Sequence, residues 1–182
     1  MIVQPFMIHL EKGALSESFC EYLSLNVDMM MKFLGYPEDK DIRNSVSYYA
    51  PIFFEALLLQ LQPRIEEIVG KKLHPCYSYS RVYLKGSELP PHIDRAPGEY
   101  GVTICIEKDI PWPIHFKVNG ELLEYELEPG DMCVYSGMEH EHWRHLYRGY
   151  KHSQCFLVYV DAEGEYADWK YDKRSDLAMP KQ

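Results

Sequence analysis

The chain has 182 residues, 46% hydrophobic and 14% aromatic, with 28 acidic against 19 basic side chains for a formal charge of −9. That length suits one domain, and so apolar a composition excludes a disordered chain. The acidic balance argues against tracking of nucleic-acid phosphates; no run approaches the roughly 18 apolar residues that span a bilayer, and MIVQPFMIHLEKG at the start has no signal-peptide pattern.

Residues 1–74 read as a helical lead-in. Across 16–34, Phe19, Leu23, Val27, Met30, Met31 and Leu34 recur at helical spacing, with Ser16 or Ser18 as N-cap and Gly35-Tyr36-Pro37 as the stop. A second helix is predicted over 51–69, with Pro51 in its first turn and Gly70 at its end; Pro63 predicts a kink or split. From residue 75 the pattern turns to strands, predicted over 76–84, 100–106, 113–118, 122–127, 131–136 and 154–160 and separated by turn residues. Asn119-Gly120 signals a hairpin, because those residues accept the positive φ angles of a type I′ turn.

Five cysteines (Cys20, Cys76, Cys105, Cys133, Cys155) are odd in number, widely spaced and without a C-x-x-C pair. A disulfide framework and a zinc ribbon both fit poorly, so they are read as small core residues of a protein in the reducing cytoplasm. Residues 162–182 are polar and read as a surface extension. The expectation is a single domain over 1–182, α+β but mainly β: N-terminal helices brace a sandwich or barrel of strands over 75–161.

The chemistry begins at the run P-P-H-I-D, residues 90–94, which carries His92 and Asp94. Two apart on an extended segment, they point to one side and can grip one metal. A His from a distant strand would complete a two-His-one-carboxylate triad, which leaves cis positions open for a bidentate co-substrate and O2. His142, 48 residues beyond Asp94, is the candidate, with His140 and His145 as neighbours that at most support a ligand. The pair alone is unspecific: eight His and 28 acidic residues in 182 positions give about one His-x-acid by chance, and His9-Leu10-Glu11 is another. Its place in a Pro/Gly-rich loop between strands strengthens it.

The residues from about 75 to 161 resemble the iron(II)/2-oxoglutarate-dependent dioxygenases, in particular the prolyl-hydroxylase-like branch. S-R-V-Y-L-K-G, H-I-D, W-P-I, P-G-D, E-H-W-R and a Gly before an apolar strand follow in that family's order. The resemblance implies a double-stranded β-helix, a jelly-roll or cupin-like barrel braced by helices. It implies Fe(II) held by His92, Asp94 and His142, with 2-oxoglutarate and O2 as co-substrates. It implies hydroxylation of a peptide or small molecule with release of succinate and CO2, no catalytic residue being needed beyond the ligands. The family's basic anchor for the distal carboxylate of 2-oxoglutarate corresponds to Lys151, nine residues after His142 where ten is common; His152, Arg144 and Gln154 are the replacements. Tyr83 corresponds to a tyrosine that meets the same carboxylate. Arg95, next to Asp94, either touches substrate or forms a surface ion pair. The competing readings are a non-catalytic jelly-roll binding module and a cupin-like metalloenzyme that does not use 2-oxoglutarate. Substrate identity and oligomeric state are not written in the sequence.

Overall fold

The computed structural model describes residues 8–181; the reading of the extreme N-terminus falls on 1–7, outside the described residues. Helix α1 (Glu17–Leu34) starts where Ser16 Oγ accepts the Phe19 N–H at 3.3 Å. It buries Cys20, Leu23, Val27 and Met31; of the predicted stripe Phe19 and Met30 are partly buried and Leu34, at the helix end, is exposed. Helix α2 (Ile52–Val69) ends at Gly70, whose left-handed backbone donates to Glu66 O at 2.8 Å. It runs unbroken through Pro63, contrary to the expected kink or split. Pro63 and Leu59 both lie on the exposed side, where water can satisfy the carbonyl that the proline leaves without a donor.

The described residues also form a short 3-10 helical segment (Ala167–Lys173) and ten strands: β1 (His9–Glu11), β2 (Ser45–Tyr49), β3 (Leu73–Leu84), β4 (Leu89–His92), β5 (Tyr100–Lys108), β6 (Ile114–Val118), β7 (Glu121–Tyr125), β8 (Met132–Tyr135), β9 (Glu141–Arg144) and β10 (Lys151–Asp161). They form a six-stranded sheet in the order β1-β8-β5-β10-β3-β2 and a four-stranded sheet in the order β4-β9-β6-β7. Every pairing is antiparallel. The predicted hairpin joins β6 to β7, with Asn119 and Gly120 both at positive φ.

Side-chain parity places the two cores. Along β10, Cys155, Leu157 and Tyr159 join Val82, Val102, Ile104, Met132 and Val134 in the core shared with α1 and α2. Side chains of the opposite parity point at the small sheet, where Cys105, Cys133 and Tyr135 meet Ile114, Phe116 and Val118. Burial on both faces explains why residues 155–160 of β10 read as a continuous apolar run. All five cysteines are free and buried, as the composition implies. Among the described residues no helix is long and apolar enough to cross a membrane.

The C-terminal segment is largely exposed, as the surface-extension reading expects, but two of its charged side chains, Asp172 and Arg174, are buried. Arg174 is buried and forks onto Glu55 of α2, Nη2 to Oε1 at 2.6 Å and Nη1 to Oε2 at 3.1 Å, and it also donates to Cys76 O at 3.2 Å. Asp172 accepts the Tyr49 hydroxyl at 2.5 Å and the Lys181 ammonium at 2.8 Å. The Arg174–Glu55 pair ties the segment to α2, while its other charged side chains, Asp172 excepted, stay exposed.

Candidate metal centre

His92 ends β4 and His142 lies on β9, and the two are cross-strand partners. Their rings therefore stand side by side, with centroids 4.3 Å apart. Asp94 leaves β4 two residues later, its N–H donating to Gly137 O at 2.8 Å. One donor atom from each of His92, Asp94 and His142 falls within 4.8 Å of the others. The Asp94 Oδ1 sits 3.7 Å from His92 Nε2 and 3.8 Å from His142 Nε2.

The surroundings prepare these groups for a cation. His92 Nδ1 lies 2.8 Å from Pro90 O and His142 Nδ1 lies 2.9 Å from His140 O, so each ring donates there and turns its Nε2 lone pair to Asp94. Burial pushes the His142 imidazole below its usual range, keeping it in the neutral form that ligates. His140 serves through its backbone carbonyl, while the exposed His145 packs against His115 at 4.6 Å on the outer face of the small sheet. The donor set fits a divalent cation with open coordination positions.

The site opens into a cavity of about 480 Å3 between the sheets, in the size range of small-molecule sites. Tyr77, Tyr79, Phe156 and Val158 line one wall, and Arg81 and Arg144 supply positive charge inside it. Arg81 is neutralised by the buried Asp39, with Nη2–Oδ2 at 2.8 Å. Arg144 is 1% exposed and has no ion-pair partner among the described residues. One of its N–H groups bonds Trp112 O; with the Gln154 amide nitrogen turned to Ile104 O and Thr103 Oγ1, another reaches the amide oxygen at 3.2 Å. A buried cation without a counter-charge is costly unless an anion arrives.

The two anchor candidates lie outside the cavity lining. Lys151 is not in the cavity. It shares the parity of Cys155 and Leu157, so it faces the helix side and binds Asp28 at 2.7 Å and Glu107 at 2.6 Å. Burial opposes its charge, but those two bonds outweigh it and hold its pKa above the usual value. The neighbouring parity brings His152 inward, fully buried and held neutral by burial and by the charge of Arg144. Tyr83 does point between the sheets but lies behind the cavity wall. Its ring packs on Trp112 at 4.8 Å, and its hydroxyl accepts from Arg81 Nη1 at 3.5 Å. Arg95 is exposed at the rim, over the Tyr77 ring at 5.8 Å, with no ion pair among the described residues.

No protein-family model and no curated protein matches the chain. Solved structures do. A Pseudomonas putida prolyl-4-hydroxylase is 11% identical with a TM-score of 0.68, over 85% of this chain and 92% of that one. HygX from Streptomyces hygroscopicus, solved with nickel, 2-oxoglutarate and hygromycin B, is 11% identical with a TM-score of 0.70, over 94% and 90%. The non-heme alpha ketoglutarate dependent carbocyclase SnoK from nogalamycin biosynthesis is 12% identical with a TM-score of 0.73, over 96% and 89%. The fold is that of the 2-oxoglutarate/iron(II) oxygenases.

Within this fold, Arg144 is one of the three replacements for Lys151 that the sequence offers, beside His152 and Gln154. It stands two positions after His142 on β9, and strand parity alone aims both inward. Gly137 carries the most sensitive contact of the site. A Cβ there would lie 2.0 Å from Asp94 Oδ2 and 2.7 Å from Gly98 O. Gly137→Ala is expected to weaken metal binding by roughly 10- to 100-fold with all three candidate ligands intact, the scale of losses when a ligand's support is removed. Titration with Co(II) or Fe(II) followed by absorbance checks this.

Proposed function

We propose that the chain is an iron(II)- and 2-oxoglutarate-dependent oxygenase that hydroxylates a peptide or small molecule and releases succinate and CO2. One observation carries this reading: a single cavity holds the His92/Asp94/His142 donor set at one place and the uncompensated Arg144 guanidinium at another. His142 and Arg144 both point inward two residues apart, which sets them roughly 6.6 Å apart along the strand. That separation matches a short dicarboxylate with one end at the metal and the other at the guanidinium. His92, Asp94 and His142 hold the iron; Arg144, rather than Lys151, takes the distal carboxylate. Tyr83 and Asp39 orient Arg81 in the wall.

When bound, iron and 2-oxoglutarate supply O2 activation and the oxidising power of the reaction. The chain supplies position and exclusion of water: Tyr135 and Phe116 pack on the His142 ring at 4.9 and 5.8 Å, and no side chain beyond the ligands acts on the reacting atoms. The two sheets read as a double-stranded β-helix, with 1–182 as one domain. The five buried thiols suit the cytoplasm. HygX, solved with hygromycin B, lends support to a small-molecule substrate. A metal site without 2-oxoglutarate would leave the buried charge of Arg144 without a purpose.

Anaerobic titration of the protein with Fe(II) and then 2-oxoglutarate tests the proposal. The expected result is a weak visible charge-transfer band that His92→Ala abolishes. Metal binding without that band at any 2-oxoglutarate concentration would favour the cupin-like reading, and absence of metal binding would favour a binding module.

A further inference from the structure

The two helices bury one face against the large sheet and expose a second apolar stripe to solvent. On α1, Tyr22, Leu25, Met29 and Phe33 are 57%, 63%, 68% and 87% exposed. Their spacing of i, i+3, i+7 and i+11 aligns them on one side, away from the buried Cys20, Leu23, Val27 and Met31. On α2, Ile52 and Leu59 repeat the pattern at 71% and 51% exposure. Both helices lie on the same outer face of the large sheet, α1 over β5 and α2 over β3 and β10. A helix that ends at the solvent carries polar side chains on its outer face; one that is apolar on both faces is normally covered.

We infer that this helical layer is the interface of a two-fold homodimer in which α1 packs antiparallel on α1 of a second copy. The stripe is self-complementary in that orientation. A two-fold axis crossing at the level of residue 27 sets Tyr22 against Phe33 and Leu25 against Met29. Charge selects the same arrangement. Glu17 in the first turn and Glu21 after it are acidic, and Lys32 is the base of the last turn. Antiparallel pairing brings Glu21 beside Lys32 of the other copy and opposes the helix dipoles; parallel pairing would set like charges at the same height and align the dipoles. The seam lies on the opposite side of the sheet from the candidate metal centre, so dimer formation leaves the cavity open. This inference does not rest on the proposed activity.

Sedimentation velocity on the full chain reads the outcome. The wild type is expected to dimerise at micromolar concentration, at twice the chain mass of 21.4 kDa. Met29→Glu with Phe33→Glu is expected to weaken the dimer at least about 100-fold, since two apolar anchors become charged. Both positions are exposed, so the variant's circular dichroism and Fe(II) titration should match the wild type. Glu21→Lys should weaken the dimer and Glu21→Lys with Lys32→Glu should restore it, a reversal that antiparallel self-pairing gives. A wild type that stays monomeric at about 100 µM, or a dimer indifferent to the Met29 and Phe33 changes, would overturn the inference.

Discussion

Arg144→Met is expected to raise the dissociation constant for 2-oxoglutarate at least about 30-fold while leaving Fe(II) affinity nearly unchanged and the fold no less stable. Removing one partner of a buried, hydrogen-bonded charge pair costs about 2–5 kcal/mol, and about 1.4 kcal/mol is tenfold in affinity. The stability half of the expectation follows from what Arg144 lacks. It is fully buried without a carboxylate, so in the absence of an anion it is a charge removed from water with little compensation. An apolar side chain of similar volume relieves that cost, against which stands the donor lost to Trp112 O. A residue that destabilises the empty protein and serves the loaded one should show this opposite movement of affinity and melting temperature. Lys151→Met is the contrast. Its bonds to Asp28 and Glu107 are partly exposed and worth about 0–1 kcal/mol, and 2-oxoglutarate affinity should stay within about twofold. Anaerobic titration and thermal melts of the two variants decide the matter. If Lys151→Met were the variant blind to 2-oxoglutarate, the anchor would return to that residue.

The contrast between Lys151 and Arg144 also marks where sequence reading succeeds and fails. Motif order singles out His92, Asp94 and His142, and the three converge, because a metal demands particular side chains and tolerates little else. Helices α1 and α2 and the long strands are legible because burial on one or both faces writes a period into the chain. The side of β10 that Lys151 takes is not, since counting nine or ten residues from His142 crosses a turn, and a slip of one residue on β10 exchanges the helix side for the cavity side. Only the pairing of Lys151 with Leu84 and of His152 with Tyr83 resolves it. Strands β1, β2, β4 and β9 escape prediction for a related reason. They are three to five residues long, and β4 reads Leu-Pro-Pro-His, which carries no alternation and two residues that cannot donate. Short strands of this kind are specified by their partners.

Glu55→Ala is expected to lower the melting temperature by about 6–20 °C. Glu55 and Arg174 side chains are 2% and 0% exposed and joined at 2.6 Å, so deleting either leaves a buried charge unpaired, at about 3–5 kcal/mol. For a chain of this length each kcal/mol moves the melting temperature by about 2–4 °C. The test lies in the double variant. Glu55→Leu with Arg174→Met removes both charges, and most of the loss should be recovered, because the penalty belongs to the orphaned partner rather than to the missing bond. The consequence reaches the cavity through Tyr49. That residue lines it, donates to Asp172, and lies under the Arg174 guanidinium at 5.3 Å. The single variants should therefore loosen one wall of the cavity as well as the C-terminal segment, which hydrogen exchange at residues 45–49 and 167–174 would report as a shared loss of protection. Exchange that rises only after residue 166 would mean the segment is stapled to α2 without bracing the cavity.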